Sequence, residues 1–166
     1  MRIGLVTATA VVAVAGAAQA QSGSAWGYFE TDGAPLQAGL TSPEGGQLIL
    51  KCDETGDNSV FAVIVSPQEL RPSTTRPQVR SLWLEFDGGN REEVRWRYYE
   101  SSVMALNTRR DRNLMPFLEQ MVDAENLEIR FDPEDTQPFN ITFNVSGARE
   151  AIERVFESCE DTSGLS

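Results

Sequence analysis

Two neighbouring β-rich segments carry an aromatic ring and guanidinium groups at alternating positions. Trp83 lies in the first segment, and Arg95, Arg97 and Tyr99 occupy every second position of the next. Because alternate residues of a strand point to the same face, pairing of the segments would place all four on one exposed sheet face. Such a candidate binding surface suits an anionic ligand, a sugar or a protein partner. The competing interpretation is that Trp83 forms an ordinary cross-strand pair or is covered by a helix.

A cationic run follows shortly after these segments. Arg109, Arg110 and Arg112 surround Asp111 in a chain whose formal net charge is −11. The run could receive a carboxylate-rich partner, or it could be the solvated approach to a helix. The acidic balance of the whole chain disfavours binding to nucleic acid or to an anionic lipid surface.

Carboxylates offer two further kinds of site. Two turns hold oxygen ligands of the type that Ca²⁺ prefers. These residues are Asp53, Glu54, Asp57 and Asn58 in one turn and Asp132, Glu134 and Asp135 in the other. Neither turn matches the twelve-residue EF-hand loop, so solvated turns are the simpler interpretation. Glu92, Glu93 and the other acids could include a glycosidase-type pair, which makes a carboxylate-dependent cell-wall hydrolase an alternative function.

The absence of histidine limits the chemistry of the chain. It excludes Ser-His-Asp and Cys-His nucleophile systems and the usual histidine-bearing zinc sites. Lys51 is the only lysine, so Schiff-base or phosphate chemistry has one candidate residue. We therefore predict a protein that is not an enzyme, with no catalytic residues, no cofactor and no metal.

The two cysteines, Cys52 and Cys159, predict one disulfide. An even number of cysteines in an oxidising compartment favours a structural bridge, and the Cys-x-x-Cys spacing of a redox pair is missing. An apolar stripe of helical spacing includes the second cysteine, so we expect the side chain of this cysteine to point into the core. The stripe consists of Ala148, Ala151, Ile152, Val155, Phe156 and Cys159.

Residues 1–20 have the layout of a secretory signal peptide. Arg2 precedes an apolar run over residues 3–16, and Ala18 and Ala20 form a small-x-small cleavage signal. We predict a periplasmic or secreted protein that makes no stable membrane insertion after cleavage. Residues 21–160 would form a single domain, and residues 161–166 a flexible tail.

The hydrophobic pattern of this domain predicts an α+β fold, in which two helices cover one face of an antiparallel β-sheet. Period-2 alternation and turn residues predict strands over residues 26–31, 47–52, 60–66, 79–86, 92–99, 127–131 and 139–145. Apolar residues at helical spacing predict helices over residues 113–124 and 146–159, the second capped by Ser146.

The turn at residues 87–90 is typical of a β-hairpin. A symmetric four-residue loop would place charges on the apolar face of this hairpin. A five-residue connection or a bulge sets Leu84 opposite Val94 and Leu82 opposite Trp96, which keeps that face apolar. We therefore prefer the second register, which leaves the tryptophan of the first strand facing outward beside Arg95.

Short motifs between Trp26 and Cys159 resemble those of a known family. They are Trp26 followed by Asp32, the Leu-x-Leu-x-Cys strand at 48–52, the hairpin strand at 82–87 with Trp96, the pair Phe117 and Leu118, the segment 143–147, and Ala151 and Ile152 before Cys159. In these motifs the chain resembles the periplasmic TagO/VasI family, whose members are accessory proteins of type VI secretion. In that family a strand cysteine and a cysteine of the C-terminal helix occupy the corresponding positions.

The resemblance implies an exported, non-enzymatic accessory protein of the cell envelope, which acts by binding an envelope or secreted protein partner. It implies no catalytic residues. The alternative is a periplasmic module that binds a small ligand or a glycan through the surface around Trp83.

Overall fold

The computed structural model describes residues 26–31, 33–72 and 76–165. The predicted signal peptide lies outside these residues, as does Asp32. The described chain is α+β, as the sequence predicts, with nine strands and two helices. The strands are β1 (Gly27–Phe29), β2 (Gln37–Thr41), β3 (Gln47–Lys51), β4 (Phe61–Val65), β5 (Gln78–Phe86), β6 (Glu92–Tyr98), β7 (Ser102–Ala105), β8 (Asn126–Phe131) and β9 (Phe139–Asn144), and the helices are α1 (Leu114–Met121) and α2 (Ala148–Ser158).

All nine strands belong to one antiparallel sheet in the order β1-β2-β3-β4-β7-β6-β5-β8-β9. Strands β1 to β4 form a meander, and the hairpin of β5 and β6 inserts between β7 and β8. The connection from β4 to β5 crosses two strands. It is anchored by Leu70, which is fully buried and whose backbone N–H donates to the carbonyl of Glu100 at 2.7 Å.

Both helices pack on the same face of the sheet, where alternate strand residues are apolar and buried. Phe117 of α1 meets the Trp96 ring edge to face, with 4.9 Å between the ring centroids. On α2 the apolar stripe that includes Ile152 and Val155 is buried, and this helix packs against β2 and β3. Neither described helix packs on the opposite face of the sheet.

The sheet curls until its two ends meet. The turn between β2 and β3 reaches β9, where a Cβ on Gly46 would lie 2.8 Å from the Ile141 Cγ2 atom. In the same contact Glu44 accepts a hydrogen bond from the backbone N–H of Thr142 at 3.4 Å. The Trp26 indole donates to the carbonyl of Val145, also at 3.4 Å. The helices are therefore enclosed by a sheet that wraps around them.

The predicted disulfide is confirmed. Cys52 and Cys159 are bonded, with 6.1 Å between their Cα atoms, and they join the end of β3 to the end of α2. Just beyond this bridge the Asp161 carboxylate accepts hydrogen bonds from the backbone N–H groups of Asn58, at 2.9 Å, and Val60, at 3.1 Å. Asp161 is thus attached to the domain, although the sequence predicts a tail from this residue onward.

The structure differs from the sequence prediction in two additional strands, in the cap of α2 and in the register of the hairpin. Strands β2 and β7 were not predicted. Strand β2 contains a glycine and β7 has only four residues, so neither gives a clear alternating pattern in the sequence. Helix α2 is not capped by Ser146. Its N-cap is Gly147, which has a φ of 81° that suits glycine. This N-cap provides no side-chain hydrogen bond to the helix.

The preferred hairpin register is wrong by two residues. Leu82 lies opposite Val94, Leu84 lies opposite Glu92, and Trp96 lies opposite Arg80. The reason is a tighter turn than the preferred register assumes: Asp87 and Gly88 have φ values of 49° and 68°, and the Gly89 N–H donates to the carbonyl of Phe86 at 2.9 Å. An even shift preserves the direction of every side chain, so the apolar and outward faces are as predicted.

None of the helices that the structure describes combines the length and the apolar character that crossing a membrane demands.

Candidate functional site

Trp83 lies on the outer face of the sheet, away from both helices. The residues on either side of it in β5, Leu82 and Leu84, are buried on the inner face, whereas Trp83 itself is half-buried. It stands between Glu93 on β6 and Arg130 on β8, its partners in the two ladders. Neither of the two described helices therefore covers the ring.

Arg95 shares a surface cavity of about 370 Å³ with Trp83. The cavity is lined by Arg80, Ser81, Trp83, Glu93, Arg95 and Asp132. The Ser81 hydroxyl donates a hydrogen bond to the Glu93 carboxylate at 2.5 Å, and Arg80 donates to the carbonyl of Asp132 at 3.2 Å. Arg95 is exposed, and no carboxylate in the described part of the chain pairs with it. We call this the Trp83 cavity.

Tyr98 supports the strand beneath the Trp83 cavity. Its side chain points inward, and its hydroxyl donates to the carbonyl of Ser81 at 2.9 Å. Burial raises the pKa of Tyr98 well above its ordinary value, so this hydroxyl stays protonated and keeps donating. The backbone of β5 at the cavity is therefore held by this hydrogen bond as well as by its ladder with β6.

The other two predicted residues follow Arg95 along β6 but have different surroundings. Arg97 is half-buried and forms an ion pair with Asp111, to which both its Nε and its Nη2 donate. Tyr99 is half-buried at the turn into β7, and its backbone N–H donates to the carbonyl of Ser102 at 2.8 Å. Of the four predicted residues, Trp83 and Arg95 share the cavity, while Arg97 has a structural partner.

The cationic run at 109–112 lies in a loop that is tightly held. The Thr108 hydroxyl accepts from the backbone N–H groups of Arg110, at 3.3 Å, and Asp111, at 3.1 Å. Beyond the loop, Asn113 accepts from the backbone N–H of Leu106 at 2.7 Å and donates to the carbonyl of Arg95 at 2.9 Å. These bonds link the loop to the ends of β6 and β7.

This loop forms one wall of a second cavity, of about 380 Å³, which we call the arginine pocket. Its lining consists of Asn58, Asn107, Thr108, Arg109 and Arg112. The Asn107 amide donates to the Asn58 side-chain oxygen at 2.9 Å and so joins the two walls. The lining includes two arginines and no acid, whereas the Trp83 cavity has two of each.

A third depression shares lining residues with both cavities. It measures about 220 Å³ and runs between β6 and α1, over Leu84, Val94 and Phe117. Arg112 lines both this groove and the arginine pocket, and Arg95 lines both this groove and the Trp83 cavity. The groove lies on the helix side of the sheet, whereas the Trp83 cavity lies on the outer face, so β6 separates the two.

The carboxylate sites that the sequence suggests are not assembled. Glu92 and Glu93 are adjacent on β6, so their side chains point to opposite faces of the sheet and do not flank one bond. Glu92 instead accepts from the Gln120 amide at 2.8 Å. Asp53 pairs with Lys51 at 2.7 Å, and no three acidic side chains among the described residues come together as a metal site.

Sequence reasoning missed Arg130 and Asn58 as parts of this surface. Arg130 lies next to Trp83 only because β8 pairs with the far side of β5, and a single sequence does not give that pairing. Asn58 reaches the arginine loop because the Cys52–Cys159 bridge and Asp161 hold its turn there.

No family model matches the sequence, and no curated protein or solved structure matches it either.

Proposed function

We propose that this protein is an exported accessory protein of the cell envelope, of the kind that the TagO/VasI resemblance implies, and that it binds another protein through the Trp83 cavity. The observation that carries the proposal is the position of Arg95. Its exposed guanidinium lies beside an outward-facing tryptophan and has no acidic partner in the described chain. Tryptophan and arginine are the residues most enriched where binding energy is concentrated at interfaces.

The disulfide supports the export part of the proposal. Bridges such as Cys52–Cys159 persist in oxidising compartments and are rare where thiols are kept reduced. Fractionation of cells that express the full chain tests this part. We expect the protein in the periplasmic or secreted fraction, and recovery only from the cytoplasm would contradict export.

The binding part is tested by capture from envelope extract with purified oxidised protein as bait. A Trp83→Ala/Arg95→Ala bait should lose a partner that the wild-type bait retains. The matched control is Phe29→Ala/Arg149→Ala, which removes an exposed aromatic ring and an exposed arginine elsewhere on the surface. The control bait should retain the partner. Equal capture by all three baits would contradict a role for the Trp83 cavity.

Unfolding measurements separate loss of binding from loss of structure. Trp83 is half-buried on a helix-free face, so we expect its replacement to change stability much less than replacement of buried Trp96, where removal of a core aromatic costs about 3–5 kcal/mol. A Trp83→Ala protein that unfolds as readily as Trp96→Ala would place Trp83 in the core.

A small ligand or glycan is the second candidate for the same cavity. The volume of about 370 Å³ beside an aromatic ring falls within the range of ligand pockets, roughly 300–1,000 Å³. Ser81, Glu93 and Arg95 supply hydroxyl, carboxylate and guanidinium groups to hydrogen-bond a sugar. A glycan array with the same three proteins tests this candidate. Binding that depends on Trp83, without a captured protein, would favour it over the first.

A further inference from the structure

The arginine pocket has a surplus of positive charge that nothing in the described chain neutralises. Arg109 and Arg112 are exposed, line the same cavity of about 380 Å³, and have no ion pair within residues 26–31, 33–72 and 76–165. The protein as a whole is strongly acidic, with 25 acidic residues against 14 basic ones. The pocket therefore brings together two guanidinium groups without a carboxylate in its lining, on a protein whose net charge is −11.

Asp111 does not neutralise the pocket, although it lies between the two arginines in sequence. Its carboxylate faces Arg97 on β6, where it is largely shielded from solvent. The same ion pair ties the loop to β6, and the Thr108 hydroxyl accepts two backbone hydrogen bonds within the loop. A site held in this way loses little conformational entropy when it binds, and this favours affinity.

We infer that the arginine pocket binds carboxylates of an acidic peptide segment in the protein partner, and that the adjoining part of this segment lies in the groove that shares Arg112 with the pocket. The inference rests on the proposed function, because it names the chemistry of a partner that also contacts the Trp83 cavity. Arg109 and Arg112 bind the carboxylates through charge-assisted hydrogen bonds, and the Asn58 and Asn107 amides complete the polar lining.

The groove beside the arginine pocket favours a peptide over an anionic polysaccharide. Its floor is apolar and consists of Leu84, Val94 and Phe117. Such a floor suits the aliphatic side chains of a peptide, which a polysaccharide lacks.

The test uses a fluorescein-labelled decaglutamate peptide and measures its binding to the oxidised protein by fluorescence anisotropy. Arg109→Gln/Arg112→Gln should weaken binding about tenfold, because it removes the charge-assisted hydrogen bonds of the pocket. The matched control is Arg149→Gln/Arg154→Gln on α2, which changes the net charge equally and should change binding less than about twofold. A labelled decaglutamine peptide should not bind.

Three results would overturn the inference: no binding of decaglutamate by the wild-type protein, equal weakening by both double variants, or binding of polygalacturonate in place of the peptide. Capture from envelope extract keeps the inference separate from the proposed function. A partner lost with Trp83→Ala/Arg95→Ala but retained by Arg109→Gln/Arg112→Gln would leave the proposed function standing and contradict the inference. A partner retained by both would contradict both.

Discussion

Arg97 and Asp111 form an ion pair that connects strand β6 to the loop of the arginine pocket. The Asp111 side chain is only 11% exposed and that of Arg97 is 30% exposed, so solvent screens this pair less than an ordinary surface pair. The pair also explains why one arginine of β6 is occupied while Arg95, two residues earlier, is available to a partner. Of the two arginines of β6, Arg97 therefore has a structural role, while Arg95 has no acidic partner among the described residues.

Asp111→Asn tests whether this contact organises the arginine pocket. We expect a loss of stability of about 1–2 kcal/mol, because the variant loses hydrogen bonds between charged groups that are only partly shielded. Binding of decaglutamate should weaken even though the variant removes a negative charge, since the loop is no longer fixed. Urea unfolding and anisotropy measure the two effects. Asp123→Asn, a charge-matched change at an exposed acid, should affect neither, and tighter binding by Asp111→Asn would contradict the preorganised loop.

The directions of the side chains around the site could be predicted from the sequence, but not their partners. Period-2 alternation is enough to assign Trp83 and Arg95 to the outer face and Leu82 to the core. The pairing of Arg97 with Asp111 depends on where an irregular loop folds back. No periodic pattern records such a contact, so the sequence suggested four free residues where two share the cavity.

The hairpin register shows a similar limit. The preferred register assumed that β5 and β6 pair as far as their turn, because the only available criterion was one apolar face. In the structure the connection is shorter, because Asp87 and Gly88 both adopt positive φ and the Gly89 N–H closes the turn on the Phe86 carbonyl. The Asp87 carboxylate also accepts from the backbone N–H groups of Glu125 and Asn126, and a single sequence does not reveal this long-range contact.

The Cys52→Ser/Cys159→Ser variant tests the contribution of the bridge. The bridge joins residues 107 positions apart, so the chain-entropy model gives an upper limit of about 4–5 kcal/mol for the lost stability. Decaglutamate binding should also weaken, because the bridge and Asp161 hold the turn that carries Asn58 into the arginine pocket. Urea unfolding and anisotropy on the oxidised, reduced and variant proteins measure both effects. Unchanged peptide affinity in a folded, reduced protein would show that the pocket does not depend on the bridge.

Gly46→Ala tests the closure of the curled sheet. A methyl group at this position would lie 2.8 Å from Ile141 Cγ2 and 3.3 Å from the Ser42 hydroxyl, so the turn must shift away from β9. Overpacking of this kind costs about 1–3 kcal/mol. Gly46→Ala/Ile141→Ala removes the clash, so the double variant should lose less stability than the sum of the single variants. Strictly additive losses would indicate that the turn and β9 are not in contact in solution.

Glu44 makes the same closure sensitive to acid. Its pKa lies below the ordinary value, chiefly because its carboxylate accepts a hydrogen bond from its own backbone N–H, with smaller contributions from Ser42 and Thr142. A lowered pKa in the folded state means that the charged form stabilises the fold above the pKa of the unfolded chain, and that this contribution is lost as pH falls. Glu44→Gln should therefore flatten the fall in stability between about pH 5 and pH 3, the range in which glutamates titrate.

Urea unfolding across this range measures the slope, with Glu153→Gln on α2 as the charge-matched control. Hydrogen exchange at Thr142 should rise in the wild-type protein on acidification and should be less pH-dependent in Glu44→Gln, once the intrinsic effect of pH on exchange is removed. Parallel stability curves for wild type and Glu44→Gln would show that this carboxylate does not contribute to holding the two ends of the sheet together.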